Sequence, residues 1–186
     1  MIYKSRAVPL KNGSACLLKS PGPEDAERIL QYLRQASGET HNMIRYEDEI
    51  AMTADEERDY LRNIENDPSA CMVSAYIGAE LAGNAGIHPI ASLYKLRHRA
   101  SFGMAVKEKY WHMGIGSALL TACIQAARTA GYEQLELEVV LDNTRAISLY
   151  ERLGFIRCGR RPRAFKFRDG SYADELLMLL PLTDGA

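Results

Sequence analysis

The chain has 186 residues, enough for one ordinary domain whose core needs neither disulfides nor a metal. Hydrophobic residues make up 47% and charged residues 25%, with 23 basic against 24 acidic side chains and a net charge of −1. That balance argues against nucleic acid and membrane surfaces as partners, and no apolar run approaches the ~20 residues of a membrane-spanning helix.

From Met1 to Leu10 the chain holds Lys4, Arg6 and Pro9 without an apolar stretch, so it is not expected to act as a signal peptide. Ala15 to Lys19 predicts a short strand. Pro23 suits a first helical position, and Ala26, Ile29, Leu30 and Leu33 recur at helical spacing, which predicts a helix from Glu24 to Ala36. A second helix starts near Thr53, where Thr53 and Glu56 have the spacing of a capping box. Cys71 to Ile77 and Glu80 to Ile87, separated by Gly78-Ala79, predict a β-hairpin. Arg97 to Val106 predicts a third strand in series. The next helix runs from Gly114 to Ala130, with Ile115, Leu119, Ala122, Cys123, Ala126 and Ala130 lining one side, and ends at Gly131. Leu135, Leu137 and Val139 alternate in a strand, and a short helix follows from Thr144 to Arg152, capped by Asp142 or Asn143 and ended by Gly154. Phe155 to Arg161 and Tyr172 to Leu180 predict the last two strands.

Three strands in series before a crossover helix imply a mixed, mostly antiparallel sheet flanked by helices, an α+β fold. Cys16, Cys71, Cys123 and Cys158 form no Cys-x-x-Cys and no Cys/His cluster. No metal or disulfide is expected, the setting fits a reducing cytoplasm, and each cysteine is expected as a small buried residue.

Two segments carry chemistry. In Val106 to Gly116 a strand enters a turn and a helix leaves it at Gly114-Ile115-Gly116. A helix N-terminus offers unpaired N–H groups and the positive end of a dipole, which suits a pyrophosphate, and glycines let an anion approach the backbone. On its own this pattern is equally well a turn glycine and a helix-packing glycine. It is not a nucleotide P-loop, and position 119, where a dinucleotide fingerprint has its third glycine, is Leu119. The second segment places Asn143 at a helix start with Tyr150 seven residues later, about two turns on and on the same face.

Together, Gly114-x-Gly116 and the series Asn143, Ala146, Ile147, Tyr150, Gly154 and Phe155 resemble the GNAT superfamily of N-acetyltransferases, most strongly over Met104 to Phe155. The family's phosphate loop follows Q/R-x-x-G-x-G/A; here Trp111 stands at its first position, which removes one polar side chain. The resemblance implies a single acetyltransferase domain over residues 1–186, with the sheet splayed between strands ending near Val106 and Val140. It implies acetyl-CoA as co-substrate, held by Met104, Ala105, Val106, Trp111, His112, Met113, Gly114, Ile115, Gly116, Ser117, Asn143 and Tyr150. Direct attack by an amine in a ternary complex follows, with Tyr150 protonating the leaving thiolate and Glu138 as the base; Glu136 and His88 are the alternatives for that base.

The acceptor expected is a small-molecule primary amine, in a monomer or homodimer. The alternatives are a protein N-terminus or lysine, or a module that binds acyl-CoA without turnover. Glu47, Asp48, Glu49, Asp55, Glu56, Glu57 and Asp59 make the second-helix region acidic, whereas Arg157, Arg160, Arg161, Arg163, Lys166 and Arg168 make the late hairpin basic. The acids suit helix first turns and the bases an exposed sheet edge, so neither patch identifies the acceptor.

Overall fold

A computed structural model describes residues 1–183. Eight strands form one sheet in the order β1-β2-β3-β4-β5-β6-β8-β7. These are β1 (Arg6–Pro9), β2 (Ala15–Lys19), β3 (Cys71–Ile77), β4 (Glu80–Pro89), β5 (Arg99–Val106), β6 (Gln134–Val140), β7 (Ile156–Lys166) and β8 (Tyr172–Pro181). Every neighbouring pair is antiparallel except β5 and β6. Four helices cover the sheet: α1 (Ala26–Gly38), α2 (Ala54–Asn66), α3 (Ile115–Thr129) and α4 (Thr144–Arg152).

The local signals act as expected. Thr53 and Glu56 form the capping box of α2, and Asn143 rather than Asp142 caps α4, accepting from the Ala146 N–H at 3.2 Å. Gly131 and Gly154 take positive φ after their helices. The first strand, Arg6–Pro9, carries too few alternating residues to announce itself; it exists because it pairs with β2 across a turn closed by Gly13 at φ 83°. The penultimate strand extends past Arg161 to Lys166, bending where Arg163 adopts φ 52°. Cys16, Cys71 and Cys123 are buried as expected, but Cys158 is exposed. It occupies the bulge between Arg157 and Gly159 on the sheet edge, with its thiol against the Leu177 carbonyl at 3.2 Å.

Alternation along the strands divides the apolar side chains between two cores. Leu135, Leu137 and Val139 of β6 join Phe102 and the buried faces of α3 and α4. On the opposite face, Ile29 and Tyr32 of α1 and Leu61 of α2 pack on Met72, Tyr76 and Leu81. Glu136 and Glu138 therefore face the α1–α2 side.

The parallel pairing of β5 with β6 covers only Arg99↔Gln134, Ala100↔Leu135 and Ser101↔Glu136. Beyond it, β5 stays paired to β4 as far as Val106 and β6 stays paired to β8 as far as Val140. The sheet thus opens between Phe102–Val106 and Leu137–Val140, with the facing edge of each strand free.

Candidate active site

The opening in the sheet is a cleft of about 1350 Å³. That exceeds the roughly 300–1,000 Å³ of an ordinary small-molecule pocket, so it has room for two reactants. Met104, Ala105, Val106, Trp111, His112, Gly114, Ile115, Gly116, Ser117, Asn143 and Tyr150 all line it, as do Glu138, Glu136 and His88. Met113, also expected at the site, packs against the larger core, and its carbonyl accepts the Lys11 N–H at 3.0 Å.

At one end lies the turn into α3. Gly114 is the N-cap residue with φ 98°, and His112 is also left-handed at φ 65°, which is uncommon outside glycine and less so for histidine. Gly114 is thus a true turn glycine. Gly116 has a packing role: a Cβ there would lie 3.2 Å from Leu149 of α4 and 3.7 Å from Met104 of β5. The absence of that Cβ draws α3, α4 and β5 together around the cleft. Trp111 fixes the loop from the other side, its indole N–H donating to the Val106 carbonyl at 2.6 Å.

Tyr150 lines the same cleft. Its ring meets Phe102 edge-on at 6.2 Å and leans on Phe155 at 5.7 Å, and the residue is 7% exposed. Burial pushes its phenol up to about 12, so it stays protonated through the neutral range and is available as a donor.

The free edge of β5 is shaped by Tyr32 of α1, which sequence reasoning placed only as a helical residue. Its hydroxyl accepts the Asn84 N–H at 3.1 Å and donates to the Ala105 carbonyl at 2.6 Å. Asn84 and Ala105 are ladder partners. One hydroxyl, on a residue 1% exposed, therefore joins α1 to both β4 and β5 beside the opening.

The carboxylates on β6 differ. Glu136 is tied to Arg99, whose Nη2 donates to it at 2.7 Å, and to Gln134; the Arg99 hydrogen bonds hold its carboxyl below the usual range. Glu138 is the more open of the two, its side chain 59% exposed, and Arg161 lies 3.6 Å away. Arg161 also pairs with Glu175 on β8, which is 4% exposed. Burial and then the Glu138 charge push the Glu175 carboxyl up, with Arg161 opposing. Sequence reasoning missed Glu175 because its partners lie on other strands. His88 is pushed down by burial, with its ring nitrogen 3.4 Å from the Tyr60 hydroxyl.

The two charged patches meet at Arg168, among residues that line a second, separate hollow with His41 and Tyr46. Arg168 at the β7–β8 turn donates to Asp48 at 2.7 Å, its backbone N–H reaches the Tyr46 hydroxyl at 3.1 Å, and its guanidinium covers the Tyr46 ring. His41 meets Phe167 edge-on at 5.8 Å and lies 3.5 Å from Asp142. Arg160 and Arg161 pair with Asp174 and Glu175. Opposite charges thus close the segment before α2 onto the late hairpin. Glu57, counted with the acidic surface, is instead buried in α2.

Among the described residues no cluster of three or more His, Cys, Asp or Glu stands ready for a metal, and no helix is long and apolar enough to cross a membrane.

Comparison with known proteins agrees with this geometry. The N-alpha-acetyltransferase 30 of Dictyostelium discoideum is 35% identical over 118 residues, 63% of this chain and 60% of that protein. The [ribosomal protein bS18]-alanine N-acetyltransferase of Escherichia coli K12 is 33% identical over 109 residues, 58% of this chain and 73% of that protein. A crystal structure of a GNAT-family acetyltransferase from Streptococcus pneumoniae superposes with a TM-score of 0.86 at 26% identity, covering 89% of this chain and 99% of that one. Residues 27–155, which hold α1, the splayed strands, the α3 turn and α4, match the family model described as acetyltransferase (GNAT), and the chain belongs to that family.

Proposed function

We propose that the protein transfers the acetyl group of acetyl-CoA directly to a primary amine held in the same cleft. The observation that carries this reading is the opening of the sheet: free strand edges and the α3 turn at one end, an open carboxylate at the other, and a protonated tyrosine between them. The donor supplies an activated thioester. The free edge at Met104, Ala105 and Val106 offers backbone groups to pair with its amides as an added strand, and an N–H there donates to the thioester oxygen as negative charge develops. Asn143 keeps amide hydrogens free while its oxygen caps α4, so it serves both helix and donor.

Glu138 takes the proton of the incoming ammonium. It lies on the α1–α2 face of β6, and the flanking Leu137 and Val139 turn into the core. Tyr150 then gives its proton to the departing thiolate. A thiol titrates near about 8.5, so a phenol beside it assists departure without itself ionising at neutral pH.

The acceptor read best here is an α-amine at a chain end. The two relatives described above are named for acetylating such amines. An α-amine titrates at about 7.7–8.0 against about 10.4 for lysine, so a lone carboxylate suffices to deprotonate it. A small-molecule amine in the same cleft is the second reading.

The test is CoA release from acetyl-CoA over a panel of short peptides with different N-terminal residues and of small amines, with products identified by mass spectrometry. Acetylated peptide α-amines are expected. Turnover of small amines alone replaces the first acceptor reading by the second, and no turnover with any amine, despite tight acetyl-CoA binding, overturns the enzymatic reading.

A further inference from the structure

Two glycines stand side by side in the middle of the sheet, Gly86 of β4 and Gly103 of β5, directly paired in the ladder. Glycine weakens a strand interior, through chain entropy and the lack of a side chain to pack, so its presence there asks for a cause. Backbone conformation is not the cause, since neither residue takes a positive φ. Nor is packing within the chain. A Cβ on Gly103 would have no atom within 4 Å, and one on Gly86 would meet the Cys71 carbonyl at 3.4 Å and the His88 ring at 3.5 Å, which are ordinary contacts. Gly83, Gly116 and Gly154 differ, since a Cβ on each would press on a leucine at 3.0, 3.2 and 3.1 Å.

Both glycines line the cleft, and both lie on the α1–α2 face of the sheet, because their neighbours Ala85, Ile87 and Phe102 turn into the core on the other side. Met72 of β3 pairs with Gly86, and Gly86 with Gly103. Beyond the last β5–β6 pair, Ser101↔Glu136, two further residues along each parallel strand bring Gly103 and Glu138 to the facing edges of the opening. Across the sheet this row reads Met72, Gly86, Gly103, then the opening, then Glu138, so two successive strands carry no side chain. The rows on either side are furnished, with Asn84 and Ala105 in one and His88, Ser101 and Glu136 in the other. The bare patch is thus bounded along the strands and ends on Met72. Leu33, Ala36 and Met43 line the same cleft from the α1 side.

We propose that Gly86 and Gly103 are the floor of a pocket for the first side chain of the acceptor, and that their missing Cβ atoms admit a long apolar side chain such as that of methionine or leucine. The proposal rests on the reading of the acceptor as a chain-end α-amine deprotonated by Glu138. In such an acceptor the first side chain is attached to the carbon that bears the amine. With the amine at Glu138, the strand edge opposite is Gly103. A side chain laid over both glycines reaches Met72, whose flexible thioether adapts to an apolar partner. A charged first residue would lose water there without gaining a partner: burial pushes His88 toward its neutral form, and Glu136 is already held by Arg99.

Steady-state acetylation of peptides that differ only in their first residue, Met, Leu, Ala or Ser, tests it on the wild type, Gly103→Ala, Gly103→Val and Gly86→Ala. The wild type is expected to favour Met and Leu over Ala and Ser by about tenfold or more in kcat/KM, the scale of added methylenes in an apolar pocket. Gly103→Val should reduce that preference by about tenfold or more, chiefly through KM, and the two alanine variants should reduce it less. Acetyl-CoA affinity, from calorimetric titration, should stay within about twofold in all three. Gly103→Ala should melt no lower than the wild type, because the added methyl meets nothing and restricts the unfolded chain. A clearly lower Tm shows that the fold itself needs this glycine and overturns the proposal. Acetyl-CoA binding that weakens with Gly103→Val assigns the floor to the donor and overturns it as well. So does a wild type that prefers Ala and Ser, or a peptide ranking unchanged in Gly103→Val; in each of these cases turnover of peptides leaves the chain-end reading intact. A wild type that acetylates small amines and no peptide overturns both.

Discussion

The two ends of the cleft are made of different material. The donor end is largely backbone: the free edge of β5, the N-termini of α3 and α4, and a turn whose glycine takes φ 98°. The end proposed for the acceptor is largely side chain: Glu138 beside Arg161, and Arg161 on Glu175. Backbone geometry is set by local spacing and changes little with side-chain substitution. Side-chain clasps join residues far apart in the chain, 120 positions in the case of the exposed pair Arg168 and Asp48.

Substitutions at the middle and acceptor end should therefore alter turnover while sparing the donor. Glu138→Gln is expected to have the largest effect, lowering kcat by about 10²–10⁴-fold, the usual contribution of a positioned base. Its Kd for acetyl-CoA should stay within about twofold; a donor affinity that falls with kcat would erase the distinction between the ends. Tyr150→Phe should lower kcat by about ten- to a hundredfold, again with donor affinity kept. Because burial raises the Tyr150 phenol to about 12 and its protonated form is the active one, the wild-type pH–rate profile should show no decline from this group below about pH 11. A decline near pH 10 that vanishes in Tyr150→Phe would contradict the buried placement.

Tyr32→Phe probes the place where a side chain enters the backbone architecture. It leaves the Asn84 N–H and the Ala105 carbonyl without their bridge, which should cost roughly 1–3 kcal/mol in urea unfolding and raise KM for the donor. Asp48→Asn opens the exposed closure; an unchanged Tm with a changed ranking of amine acceptors would show that the clasp governs access. The smallest effect concerns Glu80, which receives Lys107, Lys109 and the Tyr110 hydroxyl just before the α3 turn. Its carboxyl is held down to about 2, chiefly by Lys109 and then by Tyr110. A depressed carboxylate stabilises the fold above its unfolded value of about 4.3 and loses that contribution as pH falls toward 2. Glu80→Gln should thus be destabilised at pH 7 and match the wild type near pH 2, checked by urea unfolding at both.

The same contrast explains what was legible beforehand. Gly114, Gly116, Asn143 and Tyr150 announce themselves because turns, caps and helix faces impose fixed spacings, and the mixed sheet follows from three strands in series. For Gly116 the helix-packing alternative read from the sequence holds: its missing Cβ admits Leu149 and Met104. Arg145, whose guanidinium lies 3.3 Å from the Trp111 ring centroid, was adjacent to the recognised motif and silent, since nothing in the sequence brings α4 over Trp111. Glu175, Arg161 and Tyr32 act through β7–β8 register and the reach of α1 over β5, which no local pattern encodes. The acidic and basic patches looked opposed as separate stretches; once folded, each is paired mostly with near neighbours, and Arg168 alone bridges them to Asp48 and Glu49.

The Tyr32 hydroxyl also makes the two ends one thermodynamic system. Tyr32 belongs to α1, which walls the acceptor end, and Ala105 to the strand that receives the donor. In the proposed reaction an acceptor that shifted α1 would pull on the Ala105 carbonyl, and any change this made to the donor's affinity would be returned to the acceptor by the same factor.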